Sequence, residues 1–233
     1  PGVVFLVLVL VSSTYDVVGP QALATAGDLV ERVDRHRFGD AGYDRVPEVP
    51  GGESLTEGVD WALIEPEQGL VRWPCDEAIP VVLVGPVPDG AAAALGAVVD
   101  QLSGLSGLPL TVGSPEARDD GQAWDEGRVL VRYVDPAVRQ APDISFGADA
   151  AIGRGGPVTE GSRIIAGRLA IRTDSASTDP STAAGRAVLL HEMGHVIGAG
   201  HSHGGGGVMS ESGADTEPSA GDRYIFRLLG CPR

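Results

Sequence analysis

Lysine and asparagine are both absent from this 233-residue chain, so all 17 basic side chains are arginine and no Asn-linked glycosylation sequon exists. Basic charge is scarce as well. Acidic residues outnumber basic ones 32 to 17, which leaves a formal net charge of −15 and a pI near 4.6. A field of that sign repels phosphate and excludes nucleic acid as an expected partner. The apolar block Val3 to Val11 is too short to cross a bilayer as a helix, and no internal repeat is visible. Hydrophobic residues make up 42% and the mean hydropathy is +0.06, ordinary values for a globular chain with one or at most two domains. Glycine (34) and proline (17), by contrast, are abundant.

The block Val3 to Val11 has the length of a signal-peptide core, and Ala22-Leu23-Ala24 resembles a small-x-small cleavage site. Residues 1–24 are therefore read as the remnant of an export signal, and the protein as secreted or extracellular. The competing reading is a β-branched buried strand or the tail of a membrane anchor, and only a retained anchor would tie the chain to a membrane. Residues 25–59 are charged and broken by Gly and Pro, with one helical stretch near Ala26 to Arg37, and read as a pro-segment or linker. Regular patterning begins near Trp61 to Trp73, so the folded domain is expected over 60–233. Cys75 and Cys231 are the only cysteines. In an exported chain such a pair is expected to form a disulfide, here clipping the last helix to the start of the domain. The alternative is a thiolate that masks a metal.

Within the domain, Ile79 to Val84 reads as a buried strand with Pro80 confined to its first residues. An Ala-rich helix over Asp89 to Leu102 follows, capped by Asp89 and ended at Gly104. Short strands are expected at Leu110 to Val112, Val129 to Val134, Ala148 to Ile152 and Arg163 to Arg172. A second helix runs from after Asp179-Pro180-Ser181 to Gly198, apolar nearly all round, and so should cross the core. A last helix starts with Ser219 as N-cap and Asp222 three residues on, and ends at Gly230. The fold class is α+β: a small twisted mixed sheet, a sheet-backing helix, a long site-bearing helix and a C-terminal helix.

The second helix contains His191-Glu192-Met193-Gly194-His195. Residues four apart on a helix point the same way, so both imidazoles can reach one metal, while Glu192 stands one residue round. Five residues of this kind recur by chance on unrelated helices. Here the flanks Ala187 to Leu190 and Val196-Ile197 are apolar, and two histidines and a glutamate in a buried helix are costly unless partnered. Gly198 lets the chain turn back, and His201 follows three residues later to complete a three-nitrogen site with one coordination position open. His203, in its glycine-rich loop, is the competing third ligand, and the spacing from Gly198 favours His201.

The run His191-Glu192-x-x-His195-x-x-Gly198-x-x-His201, followed by Val208-Met209, resembles the metzincin clan of zinc endopeptidases. Ser202 directly after the third histidine, together with the position of Met209, is most similar to the matrixin branch. The resemblance implies a metzincin-like catalytic domain with His191, His195 and His201 as ligands of one catalytic zinc ion. It likewise implies Glu192 as general base, Gly198 as the turning residue and Met209 as the floor beneath the metal. Ser210-Glu211 stand where the family usually carries Tyr-Pro, and Trp73-Pro74-Cys75-Asp76 fits a disulfide better than a cysteine switch. Only His36 and His203 lie outside the motif, too few for a second histidine-rich site. Asp119, Asp120, Asp125 and Glu126 read as a solvated face rather than a calcium cage.

The implied activity is hydrolysis of peptide bonds in proteins, in a monomer that binds its substrate as an extended strand on an exposed sheet edge. Ala148 to Ile152 with the Gly153 to Gly156 loop is the candidate edge, with Val188 and Ser210 to Glu217 shaping the pocket beyond the scissile bond. Tyr133 and Tyr224 are left as core or surface tyrosines. The rival reading is a catalytically silent zinc-containing module of the same fold that grips a peptide without cutting it. A further rival is a membrane-tethered zymogen inhibited by its own N-terminal segment.

Overall fold

The computed structural model of the protein describes residues 54–117, 121–137, 144, 146, 151–204, 206–211 and 215–232. The expectations for 1–24, for most of 25–59, for His36, and for Asp119 and Asp120 lie outside these residues.

Among the described residues, five strands and three α-helices follow in the order β1 (Ile79–Leu83), α1 (Ala91–Ser106), β2 (Leu110–Val112), β3 (Val129–Val134), β4 (Gly153–Glu160), β5 (Arg163–Arg172), α2 (Ala183–Val196) and α3 (Ala220–Leu229). The strands form one mixed sheet in the order β2-β1-β3-β5-β4, in which only β4 runs antiparallel. β4 is an edge strand. Pro80 is tolerated in β1 because pairing with β3 begins only at Val81, so the missing N–H falls where β1 has β2 alone beside it.

The main core fills the space between one sheet face and the helices: Val81 and Leu83 of β1, Val129, Val131 and Tyr133 of β3, and Leu169 and Ile171 of β5 meet Leu95, Val98 and Leu102 of α1 and Leu189, Met193 and Val196 of α2. Leu55, Trp61, Leu63, Val71 and Trp73 join the same core. Alternate residues face the other way, where Val134 and Ala170 pack with Ile144 and Phe146, and Val82 and Val84 with Leu130. The period-two alternation of a strand covered on both faces explains why β3 is apolar almost throughout. The exception is Arg132, buried on β3, whose guanidinium donates to the carbonyls of Gln122 and Ala123.

Several boundaries differ from expectation. α1 has no side-chain cap at Asp89. It starts after Gly90, which takes a left-handed φ of 83°, and it runs past Gly104 to Ser106. Gly104 faces solvent, and the apolar face continues through it to Leu102 and Leu105, so the helix stops only at Gly107. α2 starts after Asp179-Pro180-Ser181 as expected, with Thr182 as the cap, its hydroxyl accepting the Gly185 N–H at 3.0 Å, but its last residue is Val196 and not Gly198. The Gly153 to Gly156 segment, expected as a loop after a strand, is itself the start of the edge strand, while Ala151 and Ile152 precede it. Intrinsic propensity disfavours glycine in strands, and here pairing with β5 overrides it. Ala148 to Ala150 lie outside the described residues. α3 carries the expected Ser219–Asp222 capping box.

A disulfide joins Cys75 to Cys231 across 156 residues and ties the end of α3 to the segment before β1.

Candidate metal site

The site begins at the C-terminal half of α2. Four residues apart on one helical face, His191 and His195 bring their Nε2 atoms to 3.0 Å from each other. The chain then reverses. Gly198 takes φ 104°, its N–H donates to the His195 carbonyl at 2.9 Å, and the Ala199 N–H donates to the Gly194 carbonyl at 3.0 Å. That pair of bonds is a Schellman turn. It delivers His201 so that its Nε2 lies 3.1 Å from both other Nε2 atoms. His191, His195 and His201 thus converge on one point and could hold a single metal ion.

Backbone carbonyls orient two of the three rings. The Nδ1–H of His191 donates to the Val208 carbonyl at 2.7 Å, and that of His195 to the Ala199 carbonyl at 2.8 Å. A carbonyl can only accept, so in the neutral rings the proton sits on Nδ1 and each Nε2 presents a bare lone pair. The 3.0 Å contact between these two nitrogens is therefore no hydrogen bond but two facing lone pairs, an arrangement that a cation between them makes favourable. Tetrahedral zinc with N at about 2.0–2.1 Å separates its nitrogens by about 3.3–3.4 Å, close to the spacing seen here. The donor set fits such an ion.

Burial keeps the rings neutral. Loss of water lowers the pKa of all three histidines, His195 most, to about 3, where His191 and His201 add their own repulsion. Glu192 lies beside them, only 5% exposed, and its Oε2 has no hydrogen-bond partner among the described residues. Desolvation pushes its carboxyl up to about 8, against an opposing pull from Arg154. A buried carboxylate with an orphaned oxygen is costly unless something in the cavity uses it. That cavity, about 660 Å3, opens between β4 and α2 and is bounded by Ile152, Arg154, Val188, Val208 and Glu211.

Met209 is buried under the helix with its thioether against Gly194, where an added Cβ would collide with the sulfur. The turn that carries it is anchored from α3. The Asp222 carboxylate, fully buried, accepts from the N–H of Val208 at 2.7 Å, of Met209 at 3.2 Å and of Ser219 at 2.8 Å. Sequence reasoning found Asp222 only as a helix cap, because nothing local signals that its carboxylate reaches back to residue 208. It placed Gly153 and Gly155 only in the candidate substrate edge, and nothing in the sequence signals that they border Glu192.

Other candidates lie elsewhere. His203 stays outside the cluster, at the surface, with its Nδ1 3.2 Å from Glu211. Asp125 is engaged by Arg128. Tyr133 and Tyr224 are core residues, the latter packed on Trp61 with ring centroids 5.2 Å apart.

Comparison with models of known protein families gives no match, and comparison with curated proteins gives none either. The functional reading therefore rests on the site.

Proposed function

We propose that this protein is a secreted zinc endopeptidase of the metzincin type, in which residues 60–233 form the catalytic domain. The observation that carries the reading is the convergence of three imidazole nitrogens on one point beside a buried carboxyl group with an oxygen unpartnered among the described residues. His191, His195 and His201 would hold the ion. When bound, zinc would supply a Lewis acid that polarises a peptide carbonyl and makes water a usable nucleophile near neutral pH. Glu192 takes a proton from the attacking water and hands it to the departing amide nitrogen. β4, with its outer edge unpaired by any described strand, offers backbone groups to an extended polypeptide laid along the cleft. The disulfide fits an extracellular protein, and no helix among the described residues is long and apolar enough to cross a membrane.

The test is zinc content together with casein digestion, with and without a chelator. Glu192→Ala is expected to keep one zinc per chain and lose turnover by several orders of magnitude, whereas His195→Ala loses the metal as well. A parent protein that binds zinc and cuts nothing would instead be a silent peptide-binding module. Hydrolysis by Glu192→Ala at the parental rate removes Glu192 from the mechanism.

A further inference from the structure

We propose that Gly153 and Gly155 of β4 are positioning residues that seat the Glu192 carboxylate, by leaving empty the volume it occupies. The proposal rests on the peptidase reading for its catalytic meaning but not for its geometry. Glu192 leaves α2 toward β4, and a Cβ added at Gly153 would lie 2.5 Å from its Oε1 and 2.8 Å from its Cδ and Cγ. A Cβ added at Gly155 would lie 2.7 Å from the Glu192 backbone carbonyl oxygen, 3.1 Å from the Leu169 Cβ and 3.2 Å from Oε2. Real Cβ atoms essentially never come within 3.0 Å of such neighbours, and the contacts at 3.1 and 3.2 Å are tight. Neither glycine takes a left-handed φ, so the backbone does not ask for glycine at these positions; only the space does.

The second observation is what the carboxylate lacks. A buried carboxylate is usually held by hydrogen-bond donors, yet Oε2 has none among the described residues. Steric walls take their place. Gly153 borders the side chain and Gly155 the backbone, so the two positions act differently: an added methyl at 153 displaces the carboxylate, and one at 155 separates β4 from α2.

The experiment is a thermal and kinetic cycle. Gly153→Ala is expected to lower the melting temperature by about 2–10 °C and kcat by about 10²-fold, the usual effect of a catalytic group misplaced by an ångström, with KM and zinc content unchanged. In the Glu192→Ala background the same Gly153→Ala change should no longer lower the melting temperature, because its collision partner is gone. Gly155→Ala should lower it in both backgrounds, since its closest contact is backbone. If Gly153→Ala alone yields no folded protein, recovery in the Gly153→Ala/Glu192→Ala variant supports the seat equally. A Gly153→Ala melting loss that persists at full size without the Glu192 side chain overturns the proposal, as does a Gly153→Ala protein with parental kcat and stability. The thermal cycle needs no turnover. Coupling in a protein that hydrolyses nothing supports the seat and removes the peptidase reading, while absent coupling in an active peptidase does the reverse.

Discussion

Replacing Asp222 by asparagine tests how the metal site is supported from a distance. The substitution keeps size and shape but leaves one acceptor oxygen where there were two. If that oxygen takes the place that serves Val208 and Ser219, the Met209 N–H faces an amide NH2, and a buried donor loses its partner. An unsatisfied buried donor costs about 1–3 kcal/mol, and the two remaining bonds lose the strength a charged acceptor gives them. A total near 3 kcal/mol follows, equivalent to about 6–12 °C of melting temperature for a domain of this size. The effect continues to the metal. Val208 both donates to Asp222 and accepts from His191 Nδ1, so a loosened turn frees the His191 ring, and losing such indirect support of a ligand typically weakens metal affinity about 10–100-fold. Calorimetry and zinc titration against a competing chelator measure both, and saturating zinc should still give one ion per chain. A variant with parental melting temperature and parental zinc affinity refutes the chain of support from α3 to His191.

Three other outcomes are expected. Reducing the Cys75–Cys231 bridge, or replacing both cysteines by serine, should cost about 2–5 kcal/mol, because the bridge closes a 156-residue separation and so restricts the unfolded chain; an unchanged melting temperature in reductant would show otherwise. Tyr133 has a buried hydroxyl without a partner among the described residues and a pKa raised by desolvation to about 12. Its unfolded value is near 10, so the stability it contributes is intact below pH 10 and is lost as pH rises toward 12, by about 2–3 kcal/mol. Tyr133→Phe should remove that alkaline loss in urea unfolding at pH 9 and 11.5, and should be at least as stable as the parent at pH 7. Gly198→Ala places a Cβ at φ 104° and within 3.4 Å of Val71 and Leu229, so unfolding should show a loss of about 1–3 kcal/mol together with weaker zinc binding through His201.

What could be read from the sequence depended on the range of the signal. The histidine spacing, the Gly198 reversal and the Ser219–Asp222 box are local, each decided within one or two helical turns, and the structure places them as read. β1, β3 and β5 were visible because β-branched runs have few other uses. β4 was not, since Gly-Arg-Gly-Gly-Pro carries the composition of a turn, and it is a strand because it pairs with β5. Asp89 failed as a cap because Gly90 enters the helix with a left-handed backbone, and Gly104 failed as a stop because a solvent-facing glycine does not interrupt an apolar face. Asp222 was half read: its bond to Ser219 is written in four residues, whereas its bonds to Val208 and Met209 exist only after the chain has closed.

That closure orders events in time. During synthesis all three imidazoles leave the ribosome before the helix that steadies the turn beneath them. The cluster of three histidines is therefore braced late, and a nascent chain that has not yet extruded α3 carries the three rings without the support of Asp222.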